Sequence, residues 1–199
     1  MAILEHEVRS GRFHSITLQR HLFTRDEYHA LSDILRDRHV ELLEGEIIEM
    51  APIGPSHAAI TQPLTDLIAK AFGPGFSVRS QTPVALGDER NASEPEPDVA
   101  VVAGSWRDYL SRQPGPADIK LIVEIADSSL SYDRTIKAAL YATAGIPEYW
   151  IVNLLERQLE VYREPGEAGY AAVSNYLAGG SVEPLFAPGS NVVVTDFMP

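Results

Sequence analysis

Residues 121–126 read LIVEIA, an apolar run that is interrupted by one acid, Glu124. A carboxylate is costly to bury unless an opposite charge or a metal ion compensates it, so this position needs an explanation. A second acid, Asp98, follows Pro97 and heads the apolar run VAVV at 99–102. Two carboxylates at the ends of adjacent strands could share a hard, oxygen-seeking cation, Mg²⁺ or Mn²⁺. The two runs therefore predict a sheet that carries a divalent-metal site.

Lys137, one of only three lysines, follows Glu124 after 13 positions and falls in a predicted helix. Asp133 is a good N-cap, Gly145 a good C-terminal cap and Pro147 a stop signal, which predicts a helix over 134–144. Lys137 is expected at the edge of the buried face, from where its ammonium can reach the strand ends while its stem packs. Tyr141 lies one turn later on the same side, and its hydroxyl is expected to meet a site carboxylate.

Taken singly, these residues have structural alternatives. Asp98 after a proline could merely start a strand, Glu124 could pair with an arginine, and Lys137 could be a solvated helix lysine. Two carboxylates and a lysine in this order together favour a metal-dependent phosphodiesterase.

The chain resembles the Uma family of putative restriction endonucleases over about residues 24–197. The resemblance rests on ELLEGEIIEM at 41–50, Ser56-His57, PDVAVV at 97–102, IKLIVEIADSS at 119–129, then Asp133, Lys137, Tyr141 and, most specifically, GIPEYWIV at 145–152. It implies an α/β (α+β) fold of the restriction-endonuclease type, a mixed β-sheet flanked by helices with additional β-hairpins. It also implies a PD-(D/E)XK site.

The resemblance assigns roles to particular residues. Asp98 would be the aspartate of the motif and Glu124 its second acid, both as metal ligands. Ala126 stands where the motif has lysine, and the lysine of this family is displaced to the following helix, which here gives Lys137. Glu41, at the family's Glu-Leu position, becomes a candidate auxiliary metal ligand.

Three further residues are auxiliary candidates. Glu46, in the second strand of the predicted hairpin, is the next metal ligand to consider after Glu41, and for both the alternative is a solvent-facing edge charge. His57 opens a helix and could contact substrate or a metal-bound water, or merely cap the helix. Gln81, between two strands, is a candidate phosphate contact. Trp150 is expected in the core and not as a stacking platform.

The chain's 199 residues, 45% of them hydrophobic, are enough for one well-filled core, and no low-complexity linker divides them. We predict a single domain over 24–199, preceded by an N-terminal extension over 1–23. The absence of cysteines excludes disulfides and thiolate metal sites. Neither a signal peptide nor a membrane-length apolar stretch occurs, so a cytoplasmic protein without a membrane partner is expected.

The net charge of −12 argues against tight unspecific binding to DNA, because basic surfaces normally meet polyphosphates. Nucleic acid is therefore a candidate partner that the charge does not support. Residues 1–40 are charge-balanced and carry six arginines, so this segment is the expected contributor to any such binding. A homodimer is also a candidate, since cutting both strands of a duplex needs two sites.

The function predicted from these observations is that of a Mg²⁺- or Mn²⁺-dependent nuclease. The chain lacks Gly-rich phosphate loops, HExxH and GxSxG, so other hydrolytic templates are excluded. A non-catalytic interaction module that retains the nuclease fold is the alternative, and the acidic composition favours it.

Hydrophobic periodicity and turn residues predict helices at 25–36 and from 56, hairpins at 40–50 and 148–162, and strands at 76–80, 83–86, 99–103, 121–126, 170–173 and 192–195.

Overall fold

A computed structural model describes residues 20–88 and 92–198. The chain begins with two short helices, α1 (Arg25–Ala30) and α2 (Ser32–Leu35), then a hairpin of β1 (Val40–Leu43) and β2 (Glu46–Glu49), and a long helix, α3 (Pro55–Phe72). Thr24 and Glu27 form a capping box at the start of α1. The hairpin turn has positive φ at both central residues, Glu44 (49°) and Gly45 (80°). This turn matches the right-handed twist of the strands, and the predicted hairpin is confirmed.

A six-stranded mixed sheet forms the centre of the fold. Its strands are β3 (Phe76–Ser80), β4 (Val99–Ala103), β5 (Ile119–Ala126), β6 (Glu148–Asn153), β7 (Gln158–Gly166) and β8 (Gly169–Leu177), and they are neighbours in that order. β5 and β6 run parallel, and every other neighbouring pair in this sheet is antiparallel. A 3₁₀ turn (Trp106–Tyr109) follows β4, and a minor sheet joins β9 (Ser181–Val182) to β10 (Val192–Val193).

Hydrophobic cores cover both faces of the central sheet. On one face, α3 packs Leu64 and Ile68 against the strand residues Val123 and Trp150. On the other face, the helical segment between β5 and β6 packs against strand residues that include Ala100 and Ile122. Side chains alternate along a strand, so Glu124 lies on the second face with Ile122, and Asp98 lies on it with Ala100. The helical segment is therefore opposite the two predicted metal ligands.

This helical segment contains a π-helical turn. It runs from α4 (Leu130–Tyr132) through the π turn Asp133–Lys137 into α5 (Ala138–Thr143), and the Ala138 N–H bonds to the Asp133 carbonyl five residues back. The prediction that Asp133 caps the helix is wrong, because the segment begins at Leu130. Asp133 is buried inside it, and its Oδ2 accepts the Ser129 hydroxyl at 2.6 Å. π turns are rare and are frequent at functional sites.

The predicted fold class is confirmed, with local differences. Of the predicted strand over 192–195, only Val192–Val193 is a strand, and a 3₁₀ turn (Val194–Asp196) follows it. The predicted helix over 25–36 is divided at Leu31, and residues 83–86 form no strand but a single bridge, between Leu86 and Ser93. Residues 1–19 of the predicted N-terminal extension lie outside the described residues, so the domain boundary stays a prediction. Within the part of the chain that is described, none of the helices has the length and apolar character needed to cross a membrane. The cytoplasmic location stays a prediction as well.

Candidate functional site

The two strand-end acids lie side by side. The Ile125 N–H donates to Asp98 Oδ2 at 2.8 Å, and the Asp98 N–H lies 3.3 Å from Glu124 Oε2. Both side chains line a cleft of about 440 Å³ between the sheet, the start of α3 and the π turn. The antiparallel pairing of β4 with β5, in which Val99 faces Val123, places the two acids at the same sheet end.

Lys137 occupies the middle of this acidic group. Its Nζ donates to Glu124 Oε1 at 3.0 Å and to Glu41 Oε1 at 3.1 Å. Its side chain is only 4% exposed, so the expectation that it lies at the edge of the buried face is wrong. The sequence predicted correctly that the ammonium reaches the strand ends but underestimated the burial of the side chain, because it did not foresee that Glu41 of β1 also contacts the ammonium.

Glu41 reaches the site from the hairpin. It is 1% exposed, and its Oε1 accepts the Glu96 N–H at 3.0 Å in addition to the lysine. Its Oε2 is buried and has no hydrogen-bond partner among the described residues. A buried carboxylate oxygen without a partner is costly, so it indicates a position that a ligand or water completes.

Two side chains from opposite helices hold the acids. Tyr141 from α5 donates its hydroxyl to Glu124 Oε1 at 2.8 Å, as the sequence predicted. His57, in the first turn of α3, places Nε2 2.7 Å from Asp98 Oδ1. Each predicted ligand is thereby fixed in orientation by a neighbour that is itself largely buried. Such outer partners typically maintain metal affinity.

The other two auxiliary candidates differ in position. Gln81 lines the cleft, with a φ of 48°. Glu46 lies away from it on the outer side of the hairpin, where it pairs with Arg20, and its side chain is 42% exposed. The structure therefore brings together Asp98, Glu124, Lys137, Glu41, His57, Tyr141 and Gln81, and leaves Glu46 apart.

Three further acids line the cleft, Glu96, Asp127 and Asp133, to which sequence reasoning gave no site role. Asp133 precedes Lys137 by four residues, a helical spacing that places it on the same side, and this signal could have identified it. Glu96 comes two residues before Asp98 in an irregular segment, where no periodicity indicates its direction. Trp150 is fully buried, as predicted.

The cleft carries more negative than positive charge. Burial, together with Asp98, Asp133 and Glu41, raises the pKa of Glu124 to about 8, against the lowering effect of Lys137. Burial also raises the pKa of Asp133. Burial would lower the pKa of Lys137, but Glu124 and Glu41 outweigh it and the net shift is upward. One ammonium thus serves several buried carboxylates, and a further cation would be stabilised there.

The donor set fits a hard divalent cation in chemistry. Asp98, Glu124 and Glu41 offer carboxylate oxygens, and Glu41 Oε2 is available. Within the described ranges, no three His, Asp or Glu side chains are already arranged around one metal position. The physical reason is visible in the contacts: the Lys137 ammonium lies between Glu41 and Glu124, and His57 contacts Asp98.

Comparisons with known proteins bear on the family and the fold of the chain. The family Uma2, described as "Putative restriction endonuclease", matches residues 25–195. A crystal structure of a putative nuclease belonging to DUF820 from Anabaena variabilis ATCC 29413 superposes with a TM-score of 0.68 at 18% identity, covering 88% of this chain and 97% of that chain. At this identity the superposition speaks for the fold alone. No curated protein sequence matches the chain.

Proposed function

The chain belongs to the Uma2 family of putative restriction endonucleases, and we propose that it is a divalent-metal-dependent nuclease of the PD-(D/E)XK type. The observation that carries the proposal is the contact between the Lys137 ammonium and Glu124, next to Asp98 at the same strand ends. Two acids and a lysine in one cleft are the groups that phosphodiester hydrolysis needs: ligands for a cation and a donor for developing negative charge.

Asp98 and Glu124, together with the backbone carbonyl of Ile125, would hold Mg²⁺ or Mn²⁺, with Glu41 as an additional ligand. When bound, such an ion lowers the pKa of a coordinated water and offsets charge on the scissile phosphate. Glu124 is prepared for this role because Tyr141 and Lys137 both donate to its Oε1. Its Oε2 has only the long contact to the Asp98 N–H and is the freer oxygen.

Lys137 supplies the positive charge that acts on the substrate. Its three N–H groups exceed the two acceptors that they contact, Glu41 and Glu124, so one is left to donate to a phosphate oxygen or to the attacking water. Donors of this kind contribute roughly 10²- to 10³-fold to rate where comparable groups have been removed. His57 stays a positioning residue, holding the Asp98 carboxylate through Nε2.

The test is Lys137→Met assayed on single-stranded DNA, duplex DNA and RNA with Mn²⁺ or Mg²⁺. Cleavage per folded molecule should fall by the order of 10² or more, because transition-state stabilisation is lost. Since Lys137 is buried between carboxylates, circular dichroism must first establish that the variant is folded. Lys70→Met, which changes an exposed lysine of α3, is the matched control and should cleave like wild type. Equal activity in both variants would remove Lys137 from the mechanism.

A second candidate function is a non-catalytic interaction module. One observation favours it: the Lys137 ammonium lies between Glu41 and Glu124, and within the described residues no three His, Asp or Glu side chains converge on one metal position. Calorimetric titration with Mn²⁺ separates the two functions. A nuclease must bind the ion with an affinity that depends on Asp98, whereas absence of both binding and cleavage would favour the module.

A further inference from the structure

A second surface, here named the Trp106 platform, consists of Trp106, Arg107, Tyr109, Leu110 and Arg112. It lies in the connection from β4 to β5 and begins with the 3₁₀ turn. Trp106 is 59% exposed and Leu110 is 74% exposed, which is unusual for large apolar side chains on one short segment. Grouped exposed apolar side chains commonly mark an interaction site.

Hydrogen bonds between side chains and the backbone hold the platform in place. Ser105 and Asp108 form a reciprocal capping box around the 3₁₀ turn, with the Ser105 N–H bonded to Asp108 Oδ2 at 2.8 Å. Gly104 enters the turn with a φ of +84°, and a Cβ at this position would lie 2.6 Å from that same oxygen. Tyr109 donates its hydroxyl to the Ala103 carbonyl. The exposed rings are therefore positioned before any ligand arrives, which lowers the entropic cost of binding.

Arginines are stacked on the platform's rings. The Arg107 guanidinium lies 4.5 Å from the centre of the Trp106 ring, and that of Arg112 lies 4.9 Å from the Tyr109 ring. Arg112 is also paired with Asp118 at 2.6 Å. Arg107 has no carboxylate partner within the described part of the chain, so its charge is available. An exposed aromatic ring with a stacked, unpaired guanidinium suits a flat, anionic ligand.

Arg79 lies between the platform and the cleft. It lies on β3 opposite Ala100, which is two residues from Asp98, and directly opposite residues share a sheet face. Its guanidinium lies 5.8 Å from the Tyr109 ring and donates to Gln113 at 3.1 Å. Two residues further along the chain, Gln81 lines the cleft. Tyr109 packs on the same face of the sheet as the site acids. The platform and the acids lie at opposite ends of β4 and β5, with Arg79 between them, and five strand residues span about 17 Å.

We propose that the Trp106 platform binds an unpaired stretch of the nucleic-acid strand that enters the cleft. The inference rests on the proposed nuclease function and specifies its substrate as single-stranded at this point. Unpaired bases expose the faces that stack on tryptophan and arginine, whereas a duplex hides them. The platform's Arg107 and Arg112, with the neighbouring Arg79 of β3, stand against two aspartates, Asp108 and Asp118. The resulting net charge of +1 (3 − 2) is too small to grip duplex phosphates by counterion release. It suffices to make this surface locally positive in a chain of net charge −12.

The test measures binding separately from cleavage. Wild type and variants are titrated, in EDTA and at low salt, against a fluorescein-labelled single-stranded oligonucleotide and the same sequence as a duplex. Trp106→Ala should weaken binding to the single strand by about 5- to 100-fold, the range expected for one lost stacking partner, and Arg107→Ala should weaken it less. Trp106→Phe should restore part of the loss, because it keeps a ring.

Matched controls come from equally exposed residues elsewhere. Leu155→Ala removes an apolar side chain that is 64% exposed, and Arg36→Ala removes a guanidinium whose side chain is 72% exposed. Both should bind like wild type. Because Trp106 is on the surface and Trp150 is fully buried, loss of binding in Trp106→Ala does not reflect a damaged core.

Four outcomes would overturn the proposal: equal binding by Trp106→Ala and wild type, tighter binding of the duplex, equal losses in the two controls, or no binding of either probe by wild type. The last result would indicate a protein partner for this surface. Metal-dependent cleavage by wild type with no effect of Trp106→Ala on affinity would leave the nuclease function standing and remove the platform. Trp106-dependent binding without cleavage under any metal would support the platform and contradict the nuclease function.

Discussion

Two buried glutamates on the adjacent parallel strands β5 and β6 have opposite environments. Glu148, fully buried on the face that packs against α3, accepts hydrogen bonds from Arg163 Nη2 at 2.6 Å, the Leu185 N–H at 2.8 Å and Trp150 Nε1 at 3.0 Å. Glu124, on the other face, meets the shared ammonium of Lys137 and stands among further acids. Glu124 interrupts the apolar strand β5 and Glu148 begins the apolar strand β6, so each is a lone acid beside buried apolar residues.

The difference indicates what each carboxylate is for. Glu148 has donors on both oxygens and its own guanidinium, so its burial is compensated within the fold. Glu124 keeps one weakly engaged oxygen and lies in a cleft whose negative charge exceeds its positive charge. Natural proteins tolerate such a locally unfavourable arrangement mainly where function requires it. A buried acid is therefore informative about function only after its partners have been counted.

The largest expected effect on stability comes from removing the partner of Glu148. Arg163→Met removes the counter-charge of Glu148 and leaves a fully buried carboxylate, which should lower the free energy of unfolding by about 3–5 kcal/mol. Urea denaturation monitored by fluorescence measures this, since Trp150 bonds to the same glutamate. The double variant with Glu148→Gln should recover part of the loss. A cost below that of the exposed control Arg36→Ala would contradict the compensation assigned to this pair.

A smaller effect is expected from filling the Glu124 site. Mn²⁺ at a hundredfold excess over its dissociation constant should stabilise wild type by about 2.7 kcal/mol, because only the folded protein assembles the ligands. Asp98→Asn should lose this response while keeping its hydrogen bond to the Ile125 N–H. Thermal unfolding with and without Mn²⁺ provides the measurement. Equal shifts in both proteins would mean that the ion binds elsewhere.

The last comparison concerns the pH dependence of stability in the metal-free protein. The pKa of Glu124 is raised by burial from its ordinary value of 4.5 to about 8. The contribution of its protonated form to stability is therefore fully present below about pH 4.5 and is lost as the pH rises through 8. Wild type in EDTA should therefore lose stability over this window relative to Glu124→Gln, whose amide does not titrate. Parallel pH profiles for the two proteins would show that Glu124 is not the group responsible.

Much of the fold followed from local signals. The Glu44–Gly45 turn, the apolar runs of β4 and β5, and the Pro147 stop each act through backbone conformation or side-chain alternation within a few residues. The prediction of a strand over 83–86 was wrong because a local apolar pattern does not always mean a strand. The apolar residues Val84 and Leu86 are fully buried, but they pack from an irregular segment, and periodicity cannot distinguish such a segment from a short strand.

The main residues of the candidate site were predictable from the sequence, but the hydrogen bonds between them were not. Asp98 and Glu124 were identifiable because acids rarely occur beside buried strands. That Glu41 and Lys137 share a hydrogen bond across 96 positions depends on how the hairpin docks, which no local pattern contains. Glu46 is a second example: it is one of several acids in the same hairpin, and the sequence does not show that it pairs with Arg20 on the solvent side.

The π turn determines which side chains of the helical segment face the sheet. Eight residues of regular α-helix advance by about 80° beyond full turns, whereas one inserted residue reduces the difference to about 20°. Asp133, Lys137 and Tyr141 can therefore all face the sheet although they span eight positions. Losing the inserted residue would leave a regular helix of seven steps, which still keeps Tyr141 within about 20° of Asp133. The π turn therefore lets the segment between β5 and β6 carry one additional residue without turning Tyr141 away from Glu124. Relatives with and without this residue should both keep a donor to the strand acid.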